Sequence, residues 1–282
     1  MLIHRSGMTT AGLVLCLAAL SACGGDSSTD GGETAQPPNA DSSARSKASS
    51  GTSPGAPRQL GDVGSLKGKV IVIDPGHNGG NARHPEVINR QVDIGNGRKA
   101  CDTTGTSTNA GYSEAAFTWD VSVRFAKLLR ARGAKVVLTR DGNTGVGPCI
   151  TERAAIGNRA KADAAISVHA DGAPASGHGF HVIEPKTVKG QNASMVSASR
   201  KLGKALRDAY RSGTGMPYST YIGTNALDAR DDLGGLNLST VPKVFVETGN
   251  MRNPGDAAKL SSASFRQRIA ESFTTGLIQY FR

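Results

Sequence analysis

The run Val70 to Asp74, written VIVID, limits the fold more than any other stretch of the 282 residues. Four β-branched side chains with no polar break before the aspartate read as a strand buried on both faces, the habit of a parallel sheet covered by helices. Pro75-Gly76 ends that strand in a turn. His77 is thereby left at the carboxyl end, the edge of an open α/β sheet where ligands and catalytic groups collect. Taken alone, His77 has two readings, a functional group or a surface residue after a turn.

The chain then alternates strands with helices. Residues 79 to 112 are polar and rich in Gly, Asn and Thr, and a connection that long is expected to be functional or to carry a small hairpin. Ser113 reads as the N-cap of a helix whose Phe117, Val121, Phe125 and Leu128 recur at helical spacing as far as Gly133. Glu114 falls in its first turn, where complementing the helix dipole is one sufficient explanation and a functional role is the other. Lys135 to Arg140 is the next strand, Thr151 to Ala162 a helix capped by Thr151, and Asp163 to Asp171 a strand that carries His169. Two strands of one sheet each delivering a histidine form a pair able to share a metal.

A further strand at Gly179 to Glu184 leads into a helix from about Ser194 to Arg211, with Met195, Ser199, Leu202 and Leu206 inward. Pro242 to Glu247 is another buried strand with an acid at its end, and the last helix is expected to open with a capping box from Ser264 to Gln267. The pattern predicts one α/β domain over residues 67–282, with a mostly parallel, helix-covered central sheet and a metal site at the carboxyl ends of the strands.

Ahead of this domain the composition changes. Arg5, the apolar run Ala11 to Leu20 and the sequence Leu20-Ser21-Ala22-Cys23 make residues 1–23 a targeting segment. It reads as a lipoprotein signal with Cys23 as the lipidated first residue, or as an ordinary cleaved signal peptide; either reading exports the protein. Residues 24–66 are dominated by small and polar residues and are expected to form a flexible tether. That tether holds three cations against five acids, a net of −2, and the total of +10 includes Arg5, so residues 67–282 carry +11. The basicity points to an anionic partner. Aromatic content of 5% with no basic-aromatic pattern or zinc-finger spacing argues against nucleic acid. An exported chain with two cysteines in its folded part, Cys101 and Cys149, is expected to pair them, two free thiols being the alternative.

The segments VIVIDPGH, GYSEAAFTWDVSVRFAKLLRARGAKVVLTRD, ITERAAIGNRAKADAAISVHAD and VPKVFVETGNMRNPGDAAKL together resemble, in order, the zinc-dependent N-acetylmuramoyl-L-alanine amidases of the bacterial cell wall. The resemblance covers roughly residues 68 to 281. It implies Zn2+ as cofactor, His77, Glu114 and His169 as its ligands, and Glu247 as the catalytic glutamate. Arg140 and Arg153 match arginines that recur in the family, where a salt-bridge role is an equal reading. Asp171 stands where members carry Asn, and the insert after Asn78-Gly79-Gly80 replaces a glycine-rich stretch. Arg140, Asp171 and His178 are the candidates for the substrate groove, while His84 and His181 match no ligand position and read as loop or groove residues.

The chemistry suits these residue types. Two imidazoles and a carboxylate leave a position on zinc for water, and a glutamate beside it can move the proton. The implied reaction cuts the amide between N-acetylmuramic acid and L-alanine in peptidoglycan or muropeptides, by a monomer at the outer face of the membrane. Another zinc peptidase or deacetylase, or a non-catalytic wall-binding lipoprotein, are the alternatives.

Overall fold

The β-branched runs become strands in the computed structural model, which describes residues 64–282. The signal segment with Cys23, and the tether up to residue 63, lie outside the described residues. The folded part starts earlier than position 67: Leu66 is 1% exposed within the main core and its N–H donates to the Arg132 carbonyl.

In chain order the elements are β1 (Val70–Pro75), a 3-10 turn (Asn81–Arg83), α1 (Pro85–Ile88), β2 (Gln91–Asp93), β3 (Arg98–Ala100), α2 (Glu114–Arg130), β4 (Lys135–Leu138) and α3 (Ile150–Arg159). They continue with β5 (Ala164–Asp171), β6 (His181–Pro185), α4 (Val196–Thr214), β7 (Leu227–Arg230), α5 (Gly234–Asn237), β8 (Lys243–Asn250), α6 (Pro254–Ser261) and α7 (Ala263–Tyr280). The central sheet has the order β4-β1-β5-β8-β6-β7. β4, β1, β5 and β8 run parallel, β6 is antiparallel to β8, and β7 is parallel to β6. β2 and β3 form a separate antiparallel hairpin inside the long polar connection.

Side chains alternate across a strand, and here the alternation divides the molecule in two. Ile71 and Ile73 of β1, Ile166 and Val168 of β5, and Val244 and Val246 of β8 all point to one face. There they join Phe117, Val121 and Phe125 of α2, Leu202 and Leu206 of α4, and Phe273 and Leu277 of α7 in the main core. The opposite face carries Asp74, Ser167, His169, Phe245 and Glu247, with Asp74 beside Ser167, Ser167 beside Phe245 and His169 beside Glu247 by strand register. Among the described residues a small apolar cluster of Val72, Ala162, Ala165 and Val241 buttresses that second face. Apolar burial thus fixes one side of the sheet and leaves the other for polar chemistry.

Two helix starts differ from the sequence reading. α3 is capped at Cys149, one residue ahead of Ile150, because the Cys101–Cys149 disulfide holds that position; Thr151 already lies inside the helix. α7 starts after Ser262 without a side-chain cap, and no capping box forms at Ser264 to Gln267, because the Gln267 amide is engaged by Arg124 and Glu271. Among the described residues no helix is long and apolar enough to cross a membrane.

Candidate metal centre and catalytic cleft

His77, Glu114 and His169 arrive from three elements and offer ligand atoms that all lie within 4.8 Å of one another. The turn after β1 sets the first. His77 holds a left-handed backbone, φ 58, an uncommon conformation for a non-glycine residue. Gly76 before it passes so close to His169 that a Cβ there would lie 2.3 Å from the imidazole, so only glycine lets the turn approach. The His77 Nδ1 is 3.2 Å from the Thr103 carbonyl and 3.4 Å from Asp102 Oδ1. Both are acceptors, so Nδ1 carries a hydrogen, and Nε2 faces Glu114 Oε2 3.2 Å away, where it either donates a proton to that oxygen or gives its lone pair to a cation placed between them.

Glu114 is the first residue of α2, whose N-cap Ser113 accepts from the Ala116 N–H. Its side chain turns inward to 4% exposure. Thr106 N–H donates to Oε2 at 3.0 Å and Ala170 N–H to Oε1 at 3.1 Å, which locks the carboxylate in place. Gly105, at φ +71, supplies the room, since a Cβ there would lie 2.8 Å from Oε2. His169 comes from β5, with Nδ1 3.0 Å from Glu114 Oε1 and Nε2 3.3 Å from the Ser167 hydroxyl.

Burial works to lower the pKa of His77, yet the Glu114 and Asp102 carboxylates outweigh it and raise the value to about 10. Burial likewise works to raise Glu114, and the two histidines overcome it and hold the carboxyl well below its ordinary range. A cluster that holds a proton so firmly is equally suited to a metal cation. Two imidazoles and a pre-oriented carboxylate are a donor set that fits zinc.

Glu247 stands next to His169 across the β5–β8 register and lines the same cleft, a space of about 340 Å³. Burial, then the charges of Glu114 and Asp171, push its carboxyl well above the ordinary range, and Oε2 has no hydrogen-bond partner among the described residues. A half-buried carboxyl with one orphaned oxygen and an affinity for protons is equipped for proton transfer.

Beneath the cluster lies a buried ionic floor. Arg153 donates to Asp74, Asp102 and the carbonyls of Pro75 and His77 at 2.7 to 3.1 Å, and Lys243 Nζ reaches Asp74 Oδ2 at 2.9 Å. A second cavity of about 280 Å³ opens over this floor and shares His77, Thr103, His169, Leu233 and Phe245 with the cleft.

Of the groove candidates, Asp171 lines the cleft and Arg140 and His178 do not. Arg140 is 5% exposed and donates to the carbonyls of Pro75, Gly142 and Ala115, bracing the His77 turn from behind. Its guanidinium stays inside because those carbonyls need donors. His178 is half-buried outside the lining, with its N–H on the Thr220 hydroxyl. His84 is an exposed partner of Glu86. His181 is no loop residue; it is buried in β6 opposite Glu247. Sequence reasoning missed Phe245, Lys243 and Arg230. The alternation Lys243, Phe245, Glu247 within VPKVFVE carried the signal for the first two.

The family profile described as N-acetylmuramoyl-L-alanine amidase matches residues 71–279. The chain is 42% identical over 214 residues to the N-acetylmuramoyl-L-alanine amidase Rv3717 of Mycobacterium tuberculosis, covering 76% of this chain and 86% of that protein. It resembles the crystal structure of the N-acetylmuramyl-L-alanine amidase Ami1 from Mycobacterium smegmatis with a TM-score of 0.72 at 40% identity, over 77% of this chain and 98% of the other. The amidase AmiC2 of Nostoc punctiforme, at 23% identity and a TM-score of 0.56 over 76% of this chain and 97% of that one, shares the fold.

Proposed function

The chain belongs to the N-acetylmuramoyl-L-alanine amidase family, and on that premise we propose that it hydrolyses the amide between N-acetylmuramic acid and L-alanine of peptidoglycan, with zinc held by His77, Glu114 and His169. Peptidoglycan amidase activity is the family's chemistry; zinc and the residue roles are this reading's additions. The observation that carries it is the convergence of the three donor side chains on one point with Glu247 beside them.

A zinc ion there supplies Lewis-acid polarisation of the scissile carbonyl and makes a water more acidic. The remaining work belongs to the chain. His77, oriented through its Nδ1–H by Thr103 and Asp102, and Glu114, oriented by two backbone N–H groups, need no rearrangement to present their donor atoms. Glu247 takes the proton from the attacking water and returns it to the departing alanine nitrogen. The leaving peptide therefore departs on the Glu247 side of the cluster.

Residues 1–23 as a lipoprotein signal, Cys23 as the anchored residue and the stretch that follows as a tether would put this domain, as a monomer, against the wall at the outer face of the membrane. The test is incubation of the purified protein with muropeptides, with and without a chelator. Free stem peptide that appears only without chelator supports the reading. Cleavage elsewhere in the stem, or release indifferent to the chelator, contradicts it.

A further inference from the structure

Arg230 ends β7 two strands away from Glu247 and lines the same cleft. Its guanidinium is held along one edge only: Nε donates to Asp232 Oδ1 at 2.8 Å and Nη2 to Asp232 Oδ2 at 2.7 Å. That fork fixes the plane of the group and leaves the Nη1–Nη2 edge without a partner among the described residues. Asp232 is shared, because Lys99 Nζ also reaches its Oδ2 at 2.8 Å. The two cations, Arg230 most of all, hold the Asp232 carboxyl well below its ordinary range, so it stays ionised and neutralises only one of them. The trio alone carries one positive charge over, and Asp228 and Glu247 are the further acids whose charges act on Arg230, without a hydrogen bond to it.

An arginine pre-oriented by one carboxylate, with its second edge open toward a cleft, has the geometry for a bidentate bond to another carboxylate. The position says which one. On the reading above, which this inference rests on, the L-alanine nitrogen leaves next to Glu247, so the stem peptide beyond L-alanine extends into the part of the cleft where Arg230 lies. Ile183, Leu233 and Phe245 supply apolar wall between the two, and the side chain of Arg230 is 32% exposed, open enough to be reached. The second residue of a peptidoglycan stem is a D-glutamate, which carries the carboxyl groups nearest the scissile bond on the peptide side.

We propose that Arg230, steadied by Asp232 and Lys99, is the subsite that binds a carboxylate of the second stem residue and thereby sets the enzyme's preference for acidic over amidated peptides. Arg230 bonds no reacting atom in this scheme and acts on binding, so its signature is in KM.

The experiment uses the metal-loaded protein and two probes, N-acetylmuramoyl-L-alanyl-D-glutamate and its diamide, which differ only in the charge of the second residue. A charge-assisted pair in place of a neutral hydrogen bond predicts a KM for the diacid about ten-fold below that of the diamide. Arg230→Gln should raise the diacid KM and bring the ratio close to one, and Arg230→Lys should restore part of the difference. Overall damage to the fold would scale both probes together and leave the ratio unchanged. Equal KM values for the two probes in the parent, or a ratio that survives Arg230→Gln, would overturn the subsite while leaving the amidase reading intact. Cleavage of neither probe would sink the amidase reading and this proposal with it.

Discussion

The Phe245 ring lies parallel to the His169 imidazole, with 15° between their planes and 5.1 Å between centroids. Strand register brings the two together: Phe245 pairs with Ser167 and Glu247 with His169 across β5 and β8, so the ring sits one pleat below the imidazole. A metal ligand whose ring is stacked keeps its orientation. Phe245→Ala is expected to weaken metal affinity by about 10- to 100-fold, the range for losing an outer support of a metal ligand. A competition titration against a chromophoric chelator checks this, and an unchanged affinity would show that the stacking does nothing for the site.

Cys101 and Cys149 are joined across a separation of 48 residues. The bond ties the polar insert that carries β2 and β3 to the start of α3, and Ile150 N–H donates to the Cys101 carbonyl beside it. In the chain-entropy model a loop of that length is worth about 4 kcal/mol. Thermal or denaturant unfolding with and without reductant should differ by a loss of that order. Identical curves would mean that the insert is held by its other contacts.

Asp74 is 1% exposed and accepts from Thr139, Arg153, Ser167 and Lys243. Burial acts to raise its pKa, but Lys243 and Arg153 prevail and hold it well below the ordinary carboxylate range. A depressed folded value means the stabilisation is present above the unfolded pKa near ~4 and is lost as pH falls through the folded value. Asp74→Asn should cost about 3–5 kcal/mol at pH 7 by leaving two buried cations short of a counter-charge. Urea melts of parent and variant at pH 7 and in strong acid check it: the gap should narrow as the pH falls, and a gap independent of pH would remove the ion pairs from the explanation.

Much of this was legible in the residues because burial leaves a mark on composition. The β-branched runs at Val70, Ala164 and Lys243 gave strands, and Ser113 ahead of a helical apolar repeat put Glu114 in a first turn. What stayed hidden depends on contacts between distant segments. The strand Leu227–Arg230, written LDAR, is only four residues long, has no β-branched or aromatic side chain and is pinned by its pairing with β6, so Arg230 gave no sign of reaching the cleft. Arg140 at a strand end looked available to a substrate, but the carbonyls of a neighbouring turn and of α2 take up its donors. Thr151 is a good cap by type, and a disulfide two residues earlier decided the matter.

The division of labour between Glu114 and Glu247 is the centre of the account, and one pair of numbers tests it most directly: metal content per chain and turnover on muropeptide, both measured on Glu247→Gln. Among the described residues Glu247 accepts from no backbone donor and faces the cleft from β8, whereas Glu114 is bound into the cluster by Thr106 and Ala170. The account predicts a fall in turnover of about 10² to 10⁴, the usual cost of losing a general base, with metal content still near that of the parent. Turnover within a few-fold of the parent, or metal lost together with activity, would contradict it.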